Sequence, residues 1–200
     1  MVSDDPTLGK GAATRLRILT CAVARLAGEG FRQTSVAQVA RDAGVTAQAV
    51  HAHFGSKEAL FHAAFEHDVE DLLDVVTTRF TAGVEPTAPL TLIGALLDEL
   101  DAHPLARRIL QGREADRTRE LLDLPAFTRT RARLTALVTG AQQGGTLRDD
   151  LAPEALAGAL ETLILALLLG AVQVGMIGDD QRRLAILAVV AQGIRPAGSP

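Results

Sequence analysis

The chain has 200 residues, a formal net charge of −4 and a hydrophobic fraction of 48%. This much apolar material can bury a core, so the chain as a whole is not disordered, and its length suits one large domain or two smaller ones. Ala and Leu are abundant, and there are six Phe but no Trp or Tyr. This composition favours an all-α protein. Cys21 is the single cysteine, which excludes an intramolecular disulfide and a thiolate metal cluster, and we expect it in the core.

The charge is unevenly distributed along the chain. Residues 1–60 carry seven Lys or Arg against five Asp or Glu, so the negative net charge belongs to the remainder. A locally positive stretch suits contact with phosphate, while an acidic remainder favours solubility. The opening stretch MVSDDPTLGKG lacks both parts of a signal peptide, and the longest apolar run, 161–173, is short for a bilayer span of ~20 residues. We therefore expect a cytoplasmic protein with no membrane partner.

The first predicted helix runs from about Lys10 to Gly28 and follows an N-terminal arm of nine residues. Its apolar stripe recurs at helical spacing and is expected to face the core: Ile18, Leu19, Ala22, Val23 and Leu26. Gly28 and Gly30 end this helix. Phe31 follows them and is expected to anchor the link to the next element.

Residues 34–54 have the pattern of two short helices joined by a tight turn. Ser35 and Gln38 have the spacing of a capping box, and Thr46 can cap the second helix. Gly44 can take the left-handed conformation that turns the chain between them. With Ala49, Val50 and Phe54 facing inward, the second helix exposes small and hydrogen-bonding residues, namely Thr46, Ala47, Gln48, His51 and His53. Such a helix fits the major groove of DNA, so the stretch predicts a helix-turn-helix.

Longer helices follow this motif. Ser56 is a good N-cap for a helix over 57–80, whose apolar stripe extends beyond what a small domain needs, so we interpret it as a connecting rod. A loop is predicted from Ala82 to Pro89. The later helices are predicted from Leu90 to before Pro104, over 105–124 with one break, from Pro125 to about 143, over 154–176 and over 180–194.

Residues 13–65 resemble the DNA-binding head of the TetR family of bacterial repressors. The resemblance is carried by GFRQTSV, VARDAGV and HFGSKEALF, whereas residues 66–200 resemble the family only in outline. It implies an all-α protein with a three-helix DNA-binding head that contains the helix-turn-helix, and a helical ligand-binding and dimerisation body of about six helices. The implied domains are 1–56 and 57–200, joined by helix 57–80. His51 stands where the family pattern has an aromatic residue, usually Tyr.

Gln48 is the first choice for a base contact, because a carboxamide can pair bidentately with adenine. An exposed glutamine without a partner is the alternative reading. Thr46 can cap its helix and contact DNA at once, and Ala47 can offer only a methyl contact. His53 can contact phosphate or simply pack. The predicted DNA-binding residues are Arg32, Thr34, Ser35, Thr46, Ala47, Gln48, His51, His53 and Lys57.

The body contributes two predicted sets of residues. The segment from Leu156 to Met176 is apolar nearly all round, which suits either a central core helix or half of a four-helix dimer interface. We favour the interface, formed by Leu156, Leu160, Leu163, Leu167, Gly170, Leu184, Leu187, Val190 and Ala191. Polar exceptions such as Glu161 and Thr162 could line a pocket or lie at the interface rim. The predicted pocket residues are Phe65, Leu96, Leu100, Arg107, Phe127, Glu161 and Thr162. The alternative is that the apolar residues among them are ordinary core and that Arg107 lies on a solvated face.

No catalytic constellation stands out in the sequence, so we expect neither enzyme activity nor a cofactor. His51 and His53 lie about 200° apart on a helix and cannot readily share a metal ion. The sequence therefore predicts a homodimeric repressor that binds a palindromic operator and is released by a small, mainly apolar effector. The alternative is a family-like dimer that has lost DNA binding and serves as a ligand-binding or protein-partner module.

Overall fold

A computed structural model describes residues 9–81, 96–97, 99–174 and 180–196. Throughout these residues the regular structure is helical and contains no strand, which confirms the predicted all-α class. The helices are α1 (Lys10–Glu29), α2 (Val36–Asp42), α3 (Ala47–Phe54), α4 (Lys57–Thr81), α5 (Pro104–Leu110), α6 (Thr118–Leu122), α7 (Pro125–Gln143), α8 (Pro153–Val174) and α9 (Asp180–Gly193), with a 3₁₀ turn at Leu100–Ala102. The predicted loop 82–89 and most of the helix predicted from Leu90 lie outside the described residues.

The described residues form two compact units. The first contains the residues up to Val69 together with His103–Leu124, and the second contains Glu70–Ala102 together with the residues from Pro125 onward. Helix α4 therefore contributes to both units. The segment 103–124 belongs to the first unit, although the chain on either side of it belongs to the second. The domains 1–56 and 57–200 stay a prediction.

The core of the first unit is built on α1, which packs against α2 and α5, while α2 packs against α3. The predicted inward stripe of α1 is buried, as is Phe31, which confirms both expectations. The Phe31 ring meets Phe61 of α4 edge-on, with 5.2 Å between centroids. Cys21 differs from expectation, because it lies at the edge of the α1 stripe and is only half-buried. Burial nevertheless raises the pKa of its thiol, the Asp42 carboxylate raises this pKa further, and Arg17 lowers it.

The start of α5 is capped by a residue from another helix. Asp68 of α4 is buried, and its Oδ2 accepts a hydrogen bond from the backbone N–H of Ala106 at 2.7 Å. The His103 ring donates from Nδ1 to the Asp68 carbonyl. Burial raises the pKa of the Asp68 carboxyl above its ordinary value, while the hydrogen bond from Ala106 opposes the rise. Asp68 thus satisfies a backbone donor that a helix N-terminus leaves free.

We expect Asp68→Asn to be at least as stable as the natural chain at neutral pH, because asparagine keeps the acceptor without a buried charge. A raised pKa means that the folded state binds more protons than the unfolded state between the two pKa values. The contribution of Asp68 to the free energy of unfolding therefore falls as pH rises through that window. Urea unfolding at several pH values measures this contribution. The variant for comparison is Asp68→Ala, which loses the cap and with it about 1 kcal/mol of the free energy of unfolding. Equal losses in both variants at neutral pH would contradict the expectation.

The second unit is built on α7 and α8, which pack against each other. Helix α7 begins at Pro125 as predicted, and Leu134 and Val138 are fully buried. In the last turn of α7, the Gln142 carboxamide donates to the carbonyls of Arg148 (2.8 Å) and Leu151 (3.0 Å). These bonds fix the turn that leads into α8.

Helix α8 is longer than the apolar run identified in the sequence. Among the described residues it is the one helix long and apolar enough to cross a membrane by length and composition alone. Only 22% of its most apolar 18-residue window is buried. A large apolar surface of this kind on a single chain is typical of a site that another surface covers.

Candidate nucleic-acid interface

The predicted capping box is present at the start of α2. The Ser35 Oγ accepts from the Gln38 backbone N–H at 3.3 Å, and the Gln38 Oε1 accepts from the Ser35 backbone N–H at 2.8 Å. Val39 and Ala40 of this helix are buried. Two backbone donors at the helix start are therefore satisfied reciprocally, which fixes where α2 begins.

The turn between α2 and α3 is held from α1 as well as by its own glycine. Gly44 has φ 64°, as predicted, and the Val45 N–H donates to the Ala40 carbonyl at 2.9 Å. From α1, the Arg17 Nε donates to the Ala43 carbonyl at 2.8 Å. Arg25 of α1 pairs with Asp42 at 2.5 Å and with Glu29 at 2.7 Å. The two arginines were not predicted, because a contact across 26 or 17 residues leaves no periodic signal in a sequence.

Helix α3 exposes the face that the sequence predicted to be polar. The Thr46 Oγ1 accepts from the Ala49 N–H at 3.1 Å, so Thr46 is the predicted cap. Val50 is buried, while Ala49 and Phe54, expected to face inward, are half-buried. The exposed residues of the helix are Gln48, His51, Ala52 and His53, with Ala47 half-buried beside them.

His51 has one ring nitrogen engaged with the backbone. Its Nδ1 lies 3.1 Å from the carbonyl oxygen of Gly55. Gly55 ends α3 and has φ 77°. A carbonyl oxygen can only accept, so Nδ1 carries the proton and the Nε2 of a neutral ring has only a lone pair. A neutral His51 in this position would therefore repel a phosphate oxygen at Nε2. Only the imidazolium form can donate to phosphate from there.

We consequently expect His51→Gln to bind duplex DNA several-fold more tightly than the natural chain, because a carboxamide can donate a hydrogen bond to a phosphate oxygen, whereas the Nε2 of the neutral ring offers only a lone pair. Fluorescence anisotropy at constant ionic strength measures the two affinities. The matched control is His67→Gln, which makes the same substitution at a half-buried histidine of α4 and should bind like the natural chain. Weaker binding by His51→Gln than by the natural chain would contradict the assignment.

The predicted phosphate contacts fall into different environments. Ser35 and Thr46 are exposed at the starts of their helices, where free N–H groups attract anions. Thr34 is placed differently from the prediction: it is buried, and its hydroxyl donates to the Gly30 carbonyl at 2.9 Å. A hydroxyl engaged in this way supports the link before α2 and is not presented to DNA.

The two predicted cations are also engaged within the protein. The Lys57 ammonium lies 4.4 Å from the centre of the Phe31 ring. Arg32 is exposed, but its Nη2 donates to Asp116 at 2.9 Å. This bond is the main cause of the lowered pKa of the Asp116 carboxyl. Each cation keeps further N–H donors beside the contact it makes, and these could reach a phosphate.

The predicted pocket residues are divided between the two units, and the pocket stays a prediction. Phe65, which is buried, and Arg107, which is exposed, belong to the first unit, and the other five belong to the second. Glu161 accepts two hydrogen bonds from Arg131, at 2.6 and 3.0 Å. Thr162 is exposed and donates to the Gly158 carbonyl. The remaining residues are buried or half-buried: Leu96, Leu100 and Phe127.

The predicted dimer surface needs correction. Leu156, Leu160 and Ala191 are buried within the chain, so they are already covered. Leu163 is 40% exposed, while Leu167, Gly170 and Val190 are half-buried; the side chains of Leu184 and Leu187 lie outside the described ones. The exposed apolar face is instead formed by Ala155, Ala159, Leu163, Ala166 and Val174 of α8, with Ala185, Ala188 and Val189 exposed on α9. A helix that is apolar all round does not reveal from its sequence which face is covered.

No group of three or more His, Cys, Asp or Glu side chains able to hold a metal ion occurs in the part of the chain that the structure describes. The described residues form a capped helix-turn-helix with a polar outer face on α3. Side chains of this kind can form hydrogen bonds to base edges and phosphates.

Comparison with known proteins agrees with this geometry. Residues 18–64 match the family described as bacterial regulatory proteins, tetR family. The HTH-type transcriptional repressor SCO4008 of Streptomyces coelicolor is 31% identical over 147 residues, which are 72% of this chain and 73% of that protein. The HTH-type transcriptional regulator BetI 2 of Chromohalobacter salexigens is 30% identical over 93 residues, which are 46% of this chain and 44% of that protein. The match thus spans less than half of the latter relative.

Among solved structures, Salmonella enterica GusR superimposes with a TM-score of 0.70 at 24% identity, covering 93% of this chain and 97% of that one. This likeness concerns the fold. The match to the repressor from Streptomyces coelicolor extends over most of both chains and therefore reaches beyond the helix-turn-helix. The chain belongs to the TetR family of bacterial regulatory proteins.

Proposed function

We propose that the protein is a cytoplasmic transcriptional repressor that binds a palindromic DNA operator as a homodimer. The observation that carries the proposal is the exposed polar face of α3, with Gln48 pointing outward from a helix fixed by the Thr46 cap and the buried Val50. The relative from Streptomyces coelicolor, matched over most of both chains, is named a transcriptional repressor, which supports the same activity here.

A dimer is supported by the partly uncovered α8. One helix-turn-helix reads only a few base pairs, and two-fold pairing at a spacing of one DNA turn, ~34–36 Å, supplies the specificity that a single head lacks. The exposed apolar residues of α8 would be covered by a second copy, which removes them from water. This arrangement also explains how an apolar helix can belong to a soluble regulator.

Release of the operator is proposed to follow the binding of a small, mainly apolar effector to the second unit. A ligand can shift the equilibrium between DNA-binding and released states only through its different affinity for the two. A preference of ~100-fold corresponds to about 2.7 kcal/mol. The abundance of aliphatic residues in the second unit supports an apolar ligand.

The test is selection of duplexes from a randomised 30-base-pair pool by the purified protein, followed by footprinting. We expect the selected sequences to share two inverted half-sites, each protected by one head. Adding candidate apolar metabolites to the selected complex in a gel-shift titration then tests release. Binding that no ligand relieves would indicate a constitutive repressor.

A second candidate function is a dimer that no longer binds DNA and acts as a ligand-binding or protein-partner module. It is favoured by the engaged state of several predicted phosphate contacts: the buried Thr34, the Arg32–Asp116 pair and Lys57 above Phe31. The selection experiment separates the two functions. A pool that yields no enriched duplex at low salt, where phosphate contacts are strongest, would favour the second.

A further inference from the structure

The segment 103–124 is far from the helix-turn-helix in sequence but belongs to the same first unit. Helix α5 of this segment packs against α1. Its side chains reach the short link Gly28–Arg32, through which α1 leads into α2. The link is therefore shaped by residues more than 75 positions later in the chain.

The central contact is an ion pair between Arg108 of α5 and Glu114 in the turn that follows. The Arg108 Nε donates to the Glu114 Oε1 at 2.9 Å, and the two side chains are only 14% and 7% exposed. The same arginine donates from Nη1 to the carbonyls of Ala27 (3.3 Å) and Gly28 (3.4 Å) at the C-terminus of α1. A cation at a helix C-terminus, where carbonyls lack partners, is electrostatically favourable.

The carboxylate of this pair also bonds the link directly. The Glu114 Oε1 accepts from the backbone N–H of Phe31 at 3.3 Å. This N–H is buried, and without the carboxylate it would have no acceptor among its described contacts. A buried donor left without a partner is costly, so the bond fixes the position of Phe31.

Gly30 leaves the space that the Arg108–Glu114 ion pair occupies beside the link. Its φ of 83° lies in the region that favours glycine, and a Cβ added there would lie 2.4 Å from the Arg108 Nη2 and 2.5 Å from the Glu114 Oε1. Any side chain at this position would displace the ion pair. The backbone conformation of Gly30 and the close approach of the ion pair are independent features, and each requires glycine at this position.

The residues after Glu114 extend the contact along the link. The Arg117 guanidinium carbon lies 3.5 Å from the centre of the Phe31 ring, a distance typical of stacking. Asp116 accepts from Arg32, as described above. Phe31 and Arg32 of the link therefore contact three charged residues of the segment, Glu114, Asp116 and Arg117.

We infer that Arg108 and Glu114 are positioning residues for operator binding: they hold the link Gly28–Arg32 and thereby the start of α2. The inference rests on the proposed function, since it concerns the same DNA-binding surface. Phe31 lies four residues before the Ser35 cap, and between them the Thr34 hydroxyl and N–H both bond the Gly30 carbonyl. A displaced link would therefore displace the cap and tilt the helix-turn-helix relative to α1.

The decisive variant replaces both charges by apolar side chains of similar size, Arg108→Met with Glu114→Leu. Replacing a buried ion pair in this way often preserves or raises stability, whereas removing one partner leaves a charge unpaired. We expect the double variant to remain folded and dimeric. Its affinity for the duplex selected by the natural chain should fall about tenfold or more, because the Phe31 N–H and the α1 carbonyls lose their partners.

Two further readouts distinguish positioning from general stabilisation. Affinity for a scrambled duplex, and its salt dependence, should stay unchanged, because no residue proposed to contact phosphate is altered. Hydrogen exchange at the Phe31 amide should accelerate in the folded double variant. Glu114→Gln keeps a carbonyl oxygen toward Phe31 but leaves the Arg108 charge without its counter-charge, so it should lower stability while the folded variant retains most of the specific affinity.

Arg119→Ala and Asp123→Asn remove exposed charges from the same segment and serve as matched controls that should bind like the natural chain. Natural-level specific affinity in a folded double variant would overturn the inference while leaving the proposed function intact. An equal loss for selected and scrambled duplexes would overturn it too, as an effect on the fold. If the natural chain itself selects no duplex, the proposed function fails, and this inference fails with it.

Discussion

Leu163→Glu is expected to convert the protein into monomers at micromolar concentration and to remove specific operator binding. Leu163 is 40% exposed on α8, in line with Ala159 and Ala166, which are also exposed. Because a two-fold interface repeats each residue, the substitution would place two carboxylates in one apolar contact. Each would lose its hydration without gaining a partner, at a cost of several kcal/mol.

The loss of DNA binding follows from the loss of pairing. Two linked heads bind with an effective concentration that raises affinity by about 10²–10⁴ over one head without any new contact. A monomer keeps an intact helix-turn-helix but loses this factor. Sedimentation velocity measures the oligomeric state, and anisotropy with full-site and half-site duplexes measures the binding.

Leu151→Glu provides a matched control, because Leu151 is 41% exposed in the same unit but precedes α8. It introduces the same charge at a leucine of the same exposure. We expect it to sediment as a dimer and to bind the operator normally. A dimeric Leu163→Glu would place the interface on another surface and remove the explanation given for the uncovered α8.

The elements that the sequence predicted best are those that depend on short-range chemistry. The Ser35–Gln38 capping box and the positive φ of Gly44 both arise between residues within a few positions of each other. The same holds for Thr46 as a cap. These patterns are local, so a single sequence is enough to place the start, the turn and the end of the motif.

The features that sequence reasoning missed depend on contacts between distant residues. Nothing in the sequence around Thr34 indicates that its hydroxyl bonds the Gly30 carbonyl, which buries it. Likewise, Arg108 and Glu114 sit in a charge-rich stretch that reads as a solvated face, yet both side chains are nearly buried. A charged side chain can be buried only where partners compensate its charge, and the tertiary structure determines which residues are its partners.

The faces of α8 show a third kind of limit. Its length and apolar character were predictable, but all sides of the helix are apolar, so periodicity could not separate the side packed in the chain from the exposed side. Leu156 and Leu160 are buried and Leu163 is exposed, and this division depends on the packing of the whole unit. The dimer interface therefore stays a prediction, and Leu156, Leu160 and Ala191 of its residue list are buried within the chain.

Gln48→Ala is expected to abolish discrimination at one base pair of each half-site while leaving non-specific binding intact. Gln48 is exposed on α3 and carries the one carboxamide of that helix, the group able to accept and donate to a single adenine. A bidentate pair of this kind is worth about 1–3 kcal/mol per half-site. A dimer would lose this hydrogen-bonded pair in both half-sites, so the free energy of binding to the selected duplex should become less favourable by about 2–6 kcal/mol.

The loss should be confined to specific binding, because the substitution removes no charge and leaves the salt dependence as it was. Gln143→Ala, at an exposed glutamine that ends α7, is the matched control and should bind like the natural chain. The decisive comparison uses selected duplexes in which each A·T pair is replaced in turn. The natural chain should lose affinity at one pair per half-site, and Gln48→Ala should be indifferent to that pair. If the variant still discriminates there, another residue reads the base, and Gln48 is only an exposed side chain on the recognition helix.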